Sequence, residues 1–234
     1  MSPPAIELTQ TLPEKVAATL AERIVDGSYP PGSRLIEALL SREFGLSHGP
    51  IRDALRSLQH AGLVTILPYR GAVVTDVTVR EIKELYQVRA ALVGLRARWI
   101  AEDPQREALV AKVKAPIALM QQLAGRDRAE YTRVALLVNR TLTESLSNHW
   151  LRSTLASLML QTSRYTRLAL ASAAHQRFSA KQWQALLEAI ESGNGDVAEK
   201  IAATLSQATR DEAIRFLEKN PAGAAPRTRN KPAA

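Results

Sequence analysis

Hydrophobic residues recur at helical spacing along most of the chain, and one short stretch replaces this rhythm with alternation. A three–four spacing after residue 50 is typical of a helix with one buried face. That stripe consists of Ile51, Ala54, Leu55 and Leu58. Residues 63–67 and 72–77 instead alternate like paired strands around a turn at residues 68–71. The pattern predicts a helix followed by a two-stranded β-hairpin.

The elements before this hairpin complete a recognisable order. Thr11 and Glu14 form a predicted capping box that opens a first helix, which ends near Gly27. A Pro-Pro-Gly turn follows, and then two short helices separated by Gly-Leu-Ser. Helix, turn, two short helices and a hairpin are the parts of a winged helix-turn-helix, a module that reads duplex DNA.

The second short helix is the predicted recognition helix. Ser47 is a suitable N-cap, and the free N–H groups of the first turn suit a backbone phosphate. Arg52 and Arg56 lie one turn apart, and an arginine near the start of such a helix can bind guanine in the major groove. The alternative is that these arginines form only a solvated face. The predicted DNA contacts are Arg34, Ser47, His48, Gly49, Arg52, Arg56, Arg70 and Gly71.

Helical spacing dominates the remainder of the chain. A helix of about two dozen residues begins at Thr78, and its apolar stripe is predicted to be buried. The stripe consists of Leu85, Val88, Leu92, Leu95 and Trp99. Pro104 restarts a helix that reaches about Ala124, and Pro116 is expected to kink or break it. Further helices are predicted over 128–147, 149–173, 179–192 and 196–219.

The fold class that follows is mainly α, with an N-terminal winged helix-turn-helix, a small β-wing and an all-helical bundle. The predicted organisation is an arm over 1–10, a DNA-binding domain over 11–77, a helical domain over 78–219 and a disordered basic tail over 220–234.

Composition narrows the class of protein. The net charge is +8, but residues 1–80 hold equal numbers of basic and acidic side chains, so the motif rather than the charge indicates DNA binding. The chain has no cysteine, which excludes disulfides and thiolate metal sites. We find no signal peptide pattern and no apolar run of membrane-spanning length, so we expect a cytoplasmic protein with no membrane contact.

Two segments resemble a known family. The run PPGSRLIEALLSREFGLSHGPIRDALRSLQHAGLV, followed by YRGAVV, is similar to the N-terminal domain of the GntR family of bacterial transcription regulators. The helical remainder from EIKELYQVRAAL resembles the FCD domain of the FadR subfamily. Together the two segments cover about residues 10–218. The resemblance implies a DNA-binding regulator whose second domain pairs with a copy of itself and senses a small molecule.

The DNA-binding segment departs from the family pattern at two positions. The family usually has arginine where this chain has Ala38, and Ser-Arg where it has Ser47-His48. Arg52 and the Arg70-Gly71 wing tip are retained. The resemblance therefore implies the family fold with an altered operator half-site.

Many FCD domains bind a divalent metal through one Asp and three His, and the resemblance places those positions at residues that are poor ligands. The positions are Ala135, Asn139, Trp183 and, to within one residue, Leu205. The four histidines of the chain lie elsewhere at unmatched spacing. A metal site needs imidazoles or carboxylates that converge. We predict no metal and no cofactor.

A pocket without metal is still expected. Arg89, in YQVRAAL, matches an arginine that commonly lies near the FCD cavity, and Arg96 lies two turns further along the same helix. An inward arginine needs an anion or a carboxylate partner. The predicted ligand-binding residues are Arg89, Arg96, Asn139, Arg164 and Trp183. The alternative is that the arginines, with Arg167, are exposed or paired with Glu84, Glu130 or Glu144, and that Trp183 is core.

The resulting hypothesis is a homodimer that binds a palindromic operator in double-stranded DNA and represses transcription until an organic acid or acyl-CoA binds the helical domain. The alternative is a DNA-binding dimer whose second domain is vestigial and senses nothing. An enzyme is not expected, because the chain has no Gly-rich phosphate loop in a strand–turn–helix setting and no nucleophile–histidine–acid set.

Overall fold

The computed structural model describes residues 11–67 and 71–220. The chain divides into two compact units, and the division falls between Asp76 and Val77. The predictions for the N-terminal arm, for the wing tip including Arg70, and for the tail after Asn220 lie outside the described residues.

The first unit contains the predicted helices. These are α1 (Leu12–Asp26), α2 (Glu37–Phe44) and α3 (His48–His60). The capping box at the start of α1 is confirmed, since the Thr11 and Glu14 side chains bond each other's backbone N–H. The apolar stripe of α3 is also confirmed, because all four members are buried. Burial of this stripe leaves the polar face of α3 in solvent.

The wing is a three-stranded antiparallel sheet in the order β1-β3-β2. The strands are β1 (Arg34–Leu35), β2 (Val64–Leu67) and β3 (Gly71–Val74). The prediction of only two strands was wrong, because β1 has two residues and no alternation of its own; it forms only by pairing with β3. The predicted strands were also too long at Leu63 and beyond Val74.

In its described residues the second unit is all-helical. Its helices are α4 (Val79–Glu102), α5 (Arg106–Leu123), α6 (Arg128–Glu144), α7 (His149–Ala169), α8 (Ala173–Glu191) and α9 (Gly195–Lys219). Of the predicted kink or break at Pro116, the break was wrong, since α5 continues through this residue. The predicted start of α8 was six residues late. Ser172 caps α8 by accepting from the His175 N–H, and the buried side chains of its first turns are polar.

Helix α4 buries Leu92 and Leu95 of the predicted stripe in part, against the core, and the prediction was wrong for Val88 and Trp99. Its buried face contains Tyr86, Arg89, Val93 and Arg96, whereas Val88 is 53% exposed and Trp99 is 39% exposed. The three–four spacing of Leu, Val and Trp therefore marks a flank of the helix. The buried side is hard to recognise in the sequence because two of its members are arginines.

Helix α4 packs most closely against α9. Gly94 allows this approach, because a Cβ there would lie 3.1 Å from Glu199 Cγ and 3.2 Å from its carbonyl oxygen. Arg98 links the same two helices by donating to Glu199 Oε2 at 2.7 Å and to Asp196. The core of the unit lies between α4, α5, α6, α7, α8 and α9. One face of α4 thus lines the interior where the remaining candidate residues meet.

Candidate DNA-binding surface and effector cavity

The polar face of α3 carries the predicted DNA contacts in solvent. Arg52 and Arg56 are exposed on this face, and His48 and Gly49 are exposed at its first turn. Ser47 occupies the N-cap position, but its side chain makes no capping hydrogen bond. Its hydroxyl group and the N–H groups of the first turn are therefore available to a phosphate oxygen.

Carboxylates on the same unit hold these arginines. Arg52 Nη2 lies 3.2 Å from Glu37 Oε2 of α2, and Arg56 Nη1 lies 3.9 Å from Asp53 Oδ1. Both pairs are largely exposed, so they contribute little to stability and exchange readily with solvent or with a stronger anion. The ion pair with Glu37 positions Arg52 at the first turns of α3 without burying its charge.

The described part of the wing adds two predicted contacts. Arg34 is exposed on β1 opposite Val73 of β3. Gly71 is exposed at the start of β3 with a φ of +74°, a conformation that favours glycine. The wing hairpin closes between Leu67 and Gly71, which pair across β2 and β3.

The second unit contains a cavity that opens to solvent. It encloses about 530 Å³ of empty space, a volume that includes its opening to solvent. Its lining residues come from α4, α6, α7, α8 and α9 and from the α7–α8 turn. Room of this size exceeds that of a single water and suits a small organic molecule.

Four of the five predicted ligand-binding residues line this cavity. These are Arg89, Arg96, Asn139 and Trp183. Arg164, half-buried on α7, is not among the lining residues. Trp183 is 6% exposed and belongs to the core cluster as well as to the cavity lining.

Arg96 is fixed at one end of the lining by neutral oxygens of α6. Its Nη1 donates to Asn139 Oδ1 at 2.7 Å, to the Asn139 carbonyl oxygen at 3.1 Å and to Thr143 Oγ1 at 2.6 Å. Its Nε is buried without a partner. Burial, and secondarily the charge of Arg89, lower the pKa of Arg96 to about 9, so it remains a cation at neutral pH.

Arg89 is held more loosely. Its Nη1 donates to Ser206 Oγ of α9 at 3.2 Å, and its guanidinium carbon lies 5.2 Å from the centre of the Tyr86 ring. Its Nε is also buried without a partner. Burial lowers the pKa of Arg89, and the Tyr86 side chain acts in the opposite direction.

Within the described residues, no carboxylate neutralises either arginine. The lining residues include no Asp or Glu, and neither guanidinium takes part in an ion pair. The three glutamates considered as partners contact other arginines: Glu84 binds Arg80, Glu130 binds Arg133 and Glu144 binds Arg140. The cavity therefore holds two buried positive charges without a protein counter-charge.

Sequence reasoning missed the hydroxyl groups of the lining. They belong to Thr166, Ser179, Ser206 and Thr209. Thr209 Oγ1 also lies 3.3 Å from Nε2 of the buried His175. Single Ser and Thr residues in helices carry no periodic signal, so only the packing of α7, α8 and α9 identifies them.

The positions that the family resemblance gave for metal ligands also meet here. Ala135, Asn139, Trp183 and Leu205 all line the cavity. Among them only Asn139 offers an oxygen, and its Oδ1 already accepts from Arg96. In the described parts of the chain no three or more His, Cys, Asp or Glu side chains are grouped so that they could hold a metal ion. These residues do not fit a divalent cation.

Comparison with known proteins agrees with this two-part construction. The model of the gntR family of bacterial regulatory proteins matches residues 12–74, and the FCD domain model matches residues 84–208. The chain belongs to the GntR family. The first match covers α1 to the wing, and the second covers the helices that line the cavity.

Relatives that match most of this chain are named as transcription regulators. The chain is 29% identical over 220 residues to the galactonate operon transcriptional repressor of Escherichia coli K12, covering 85% of this chain and 95% of that protein. It is 33% identical to the uncharacterised HTH-type regulator BphR of Paraburkholderia xenovorans, covering 75% and 73%. These names assign this GntR protein to regulation rather than catalysis.

A solved structure shows the same fold. The E. coli protein McbR/YncC superposes with a TM-score of 0.73 at 20% identity, covering 91% of this chain and all of that chain. At this identity the likeness concerns the fold alone. None of the helices within residues 11–67 and 71–220 combines the length and apolarity needed to span a membrane.

Proposed function

We propose that the protein is a cytoplasmic transcriptional repressor of the FadR subfamily that binds a palindromic operator. The exposed polar face of α3, flanked by the wing, is the observation that carries this proposal. Arg52 would leave its ion pair with Glu37 and bind the edge of a guanine base. The wing would lie along the adjacent DNA backbone. The similarity to the galactonate operon transcriptional repressor supports repression rather than activation.

The active form that we propose is a homodimer. The apolar flank of α4 supports this, because Val88 and Trp99 are substantially exposed. A second copy that covered this flank would bury apolar surface and would present two recognition helices to the two halves of an inverted repeat.

The proposed effector is a small organic acid bound in the cavity without a metal. Arg89 and Arg96 support this assignment, because two buried cations without a carboxylate partner have a strong preference for an anion. Ligand binding would favour one arrangement of the two DNA-binding units over another and so change operator affinity. The space in the cavity favours a small acid over an acyl-CoA.

The DNA proposal is tested by selection from a random duplex pool with the purified protein. We expect enrichment of an inverted repeat whose half-sites lie about one helical turn apart. Enrichment of no sequence, or of a site without two-fold symmetry, would contradict it.

Dimerisation is tested with Val88→Asp. The change places a charge on the proposed interface and should weaken dimerisation by at least about a hundredfold in sedimentation equilibrium. Val197→Asp is the matched control, because Val197 is also an exposed valine, 43% accessible, but lies on α9. Equal dimerisation of the Val88→Asp and Val197→Asp variants would place the interface elsewhere.

A further inference from the structure

The two cavity arginines occupy one row of α4. Arg89 and Arg96 are seven positions apart, which is close to two helical turns, so they point the same way with their Cα atoms about 10.5 Å apart along the axis. Val93 lies between them and also lines the cavity. The two cations are held by different helices, Arg89 by Ser206 of α9 and Arg96 by Asn139 of α6, and the apolar side chain of Val93 lies between their positions on α4.

We propose that the cavity binds a short dicarboxylate of four to six carbons, with one carboxylate at Arg89 and the other at Arg96. This rests on the proposed function and deepens it, because it gives the effector two acid groups at opposite ends rather than one. The middle of the ligand would contact Val93, Trp183 and Leu205.

The charges of the cavity favour a ligand with two anionic groups. The cavity carries two guanidinium groups, each at most 5% exposed, and no described lining residue is acidic. A monocarboxylate would neutralise one cation and leave the other buried and uncompensated. Such a charge is costly, so occupation by a dianion is favoured over occupation by a monoanion.

Each end also has a donor ready for a carboxylate. At one end the Ser206 hydroxyl accepts from Arg89 and is left with its own proton to donate. At the other end Asn139 accepts from Arg96 through Oδ1, and its amide nitrogen is the group of this side chain that can donate. Charge-assisted bonds from an arginine plus one neutral donor at each end would satisfy both carboxylates.

Comparison of acids of equal carbon number tests the proposal. Calorimetry on the full-length protein would compare succinate with butyrate, glutarate with pentanoate and adipate with hexanoate. We expect at least one dicarboxylate to bind at least about tenfold more tightly than its monocarboxylate, the effect of one additional charged hydrogen-bonding group.

Variants assign the two ends. Arg89→Met and Arg96→Met should each lower the affinity for the dicarboxylate to about that of the matching monocarboxylate. Arg140→Met is the matched control, because Arg140 follows Asn139 on α6 but is exposed and lies outside the cavity. The circular dichroism spectrum and thermal midpoint of each variant establish that it is folded before binding is compared.

The outcomes separate this inference from the proposed function. If no dicarboxylate binds, or if the monocarboxylates bind equally well, the inference is wrong. If a monocarboxylate binds at least as tightly as its dicarboxylate and releases the operator, the inference is wrong while the proposed function stands. If a dicarboxylate binds with the expected preference but operator affinity is unchanged, the inference stands and regulation by this cavity is wrong.

Discussion

The recognition helix and the cavity use the same residue type in opposite settings. Arg52 and Arg56 of α3 are exposed, and each lies near a carboxylate. Arg89 and Arg96 of α4 are buried, and their polar partners among residues 11–67 and 71–220 are neutral oxygens. The exposed arginines of α3 change the free energy of folding little, whereas burial of the arginines of α4 is unfavourable.

This difference shows how each region is prepared for an anion. An exposed arginine in a weak ion pair keeps its reach and can move to a phosphate or a guanine of DNA. A buried arginine without a counter-charge is fixed in advance, so a small ligand that supplies the charge recovers the cost of burial. The predictions that follow test each half of this contrast.

The largest expected effect is on the exposed side. Arg52→Ala should weaken operator binding by about 1–3 kcal/mol, because it removes a base contact in the major groove. Fluorescence anisotropy with the selected operator measures this change. Arg140→Ala, a comparably exposed arginine outside α3, should leave binding unchanged. If the two variants bind equally well, Arg52 does not contact the operator.

On the buried side, Arg89→Met should raise the stability of the ligand-free protein. It removes an uncompensated charge and loses one hydrogen bond, to Ser206, and the contact with the Tyr86 ring. We expect a gain of about 1 kcal/mol, which is an increase of about 2–4 °C in Tm for a chain of this size. Calorimetry in a buffer free of carboxylates and phosphate measures it. A lower Tm would mean that Arg89 stabilises the empty fold.

Glu37→Gln tests how the carboxylate beside Arg52 affects operator binding. Arg52 must leave Glu37 to contact DNA, and the carboxylate itself repels phosphate. Removal of this charge should tighten operator binding by about 0.2–1 kcal/mol, and the gain should shrink at high salt. Anisotropy titrations at two salt concentrations measure both. Weaker binding would show instead that Glu37 orients Arg52 on the operator.

The smallest effect concerns His175, which contacts Thr209 of the cavity lining. Burial lowers its pKa below the ordinary 6.5, Glu212 acts to raise it and Arg215 to lower it. As pH falls below about 6.5 the unfolded chain takes up the proton first, so stability decreases until the lowered folded pKa is reached.

His175→Gln should remove this part of the pH dependence. Urea unfolding at pH 7.5 and pH 5.5 measures it, and the wild-type protein should lose more stability on acidification than the variant. Equal losses in the two proteins would show that another group is responsible.

The sequence was sufficient for the recognition helix and most of the wing. Their signals are local: an apolar stripe from Ile51 to Leu58 for the helix, and two alternating segments around a turn for the wing. Strand β1 escaped prediction because two residues carry no period, and only pairing with β3 makes them a strand.

The cavity was predicted only in part, because periodicity treats arginine as an outward residue. On α4 the apolar residues Val88 and Trp99 point to a flank, while Arg89 and Arg96 face the interior. Arg89 came from a family resemblance rather than from spacing. The hydroxyl groups of the cavity lining, and the lack of Asp and Glu among its described residues, depend on which helices pack together. A local sequence pattern does not contain this information.

The central claim is that the buried arginines of α4 couple an anion to operator binding. The most direct test titrates the protein–operator complex with the tightest-binding dicarboxylate and follows operator anisotropy for the wild type and for Arg89→Met. The account predicts that the wild type releases the operator at a concentration at least about tenfold below that needed for the variant. Release of both at the same concentration, or of neither, would contradict it.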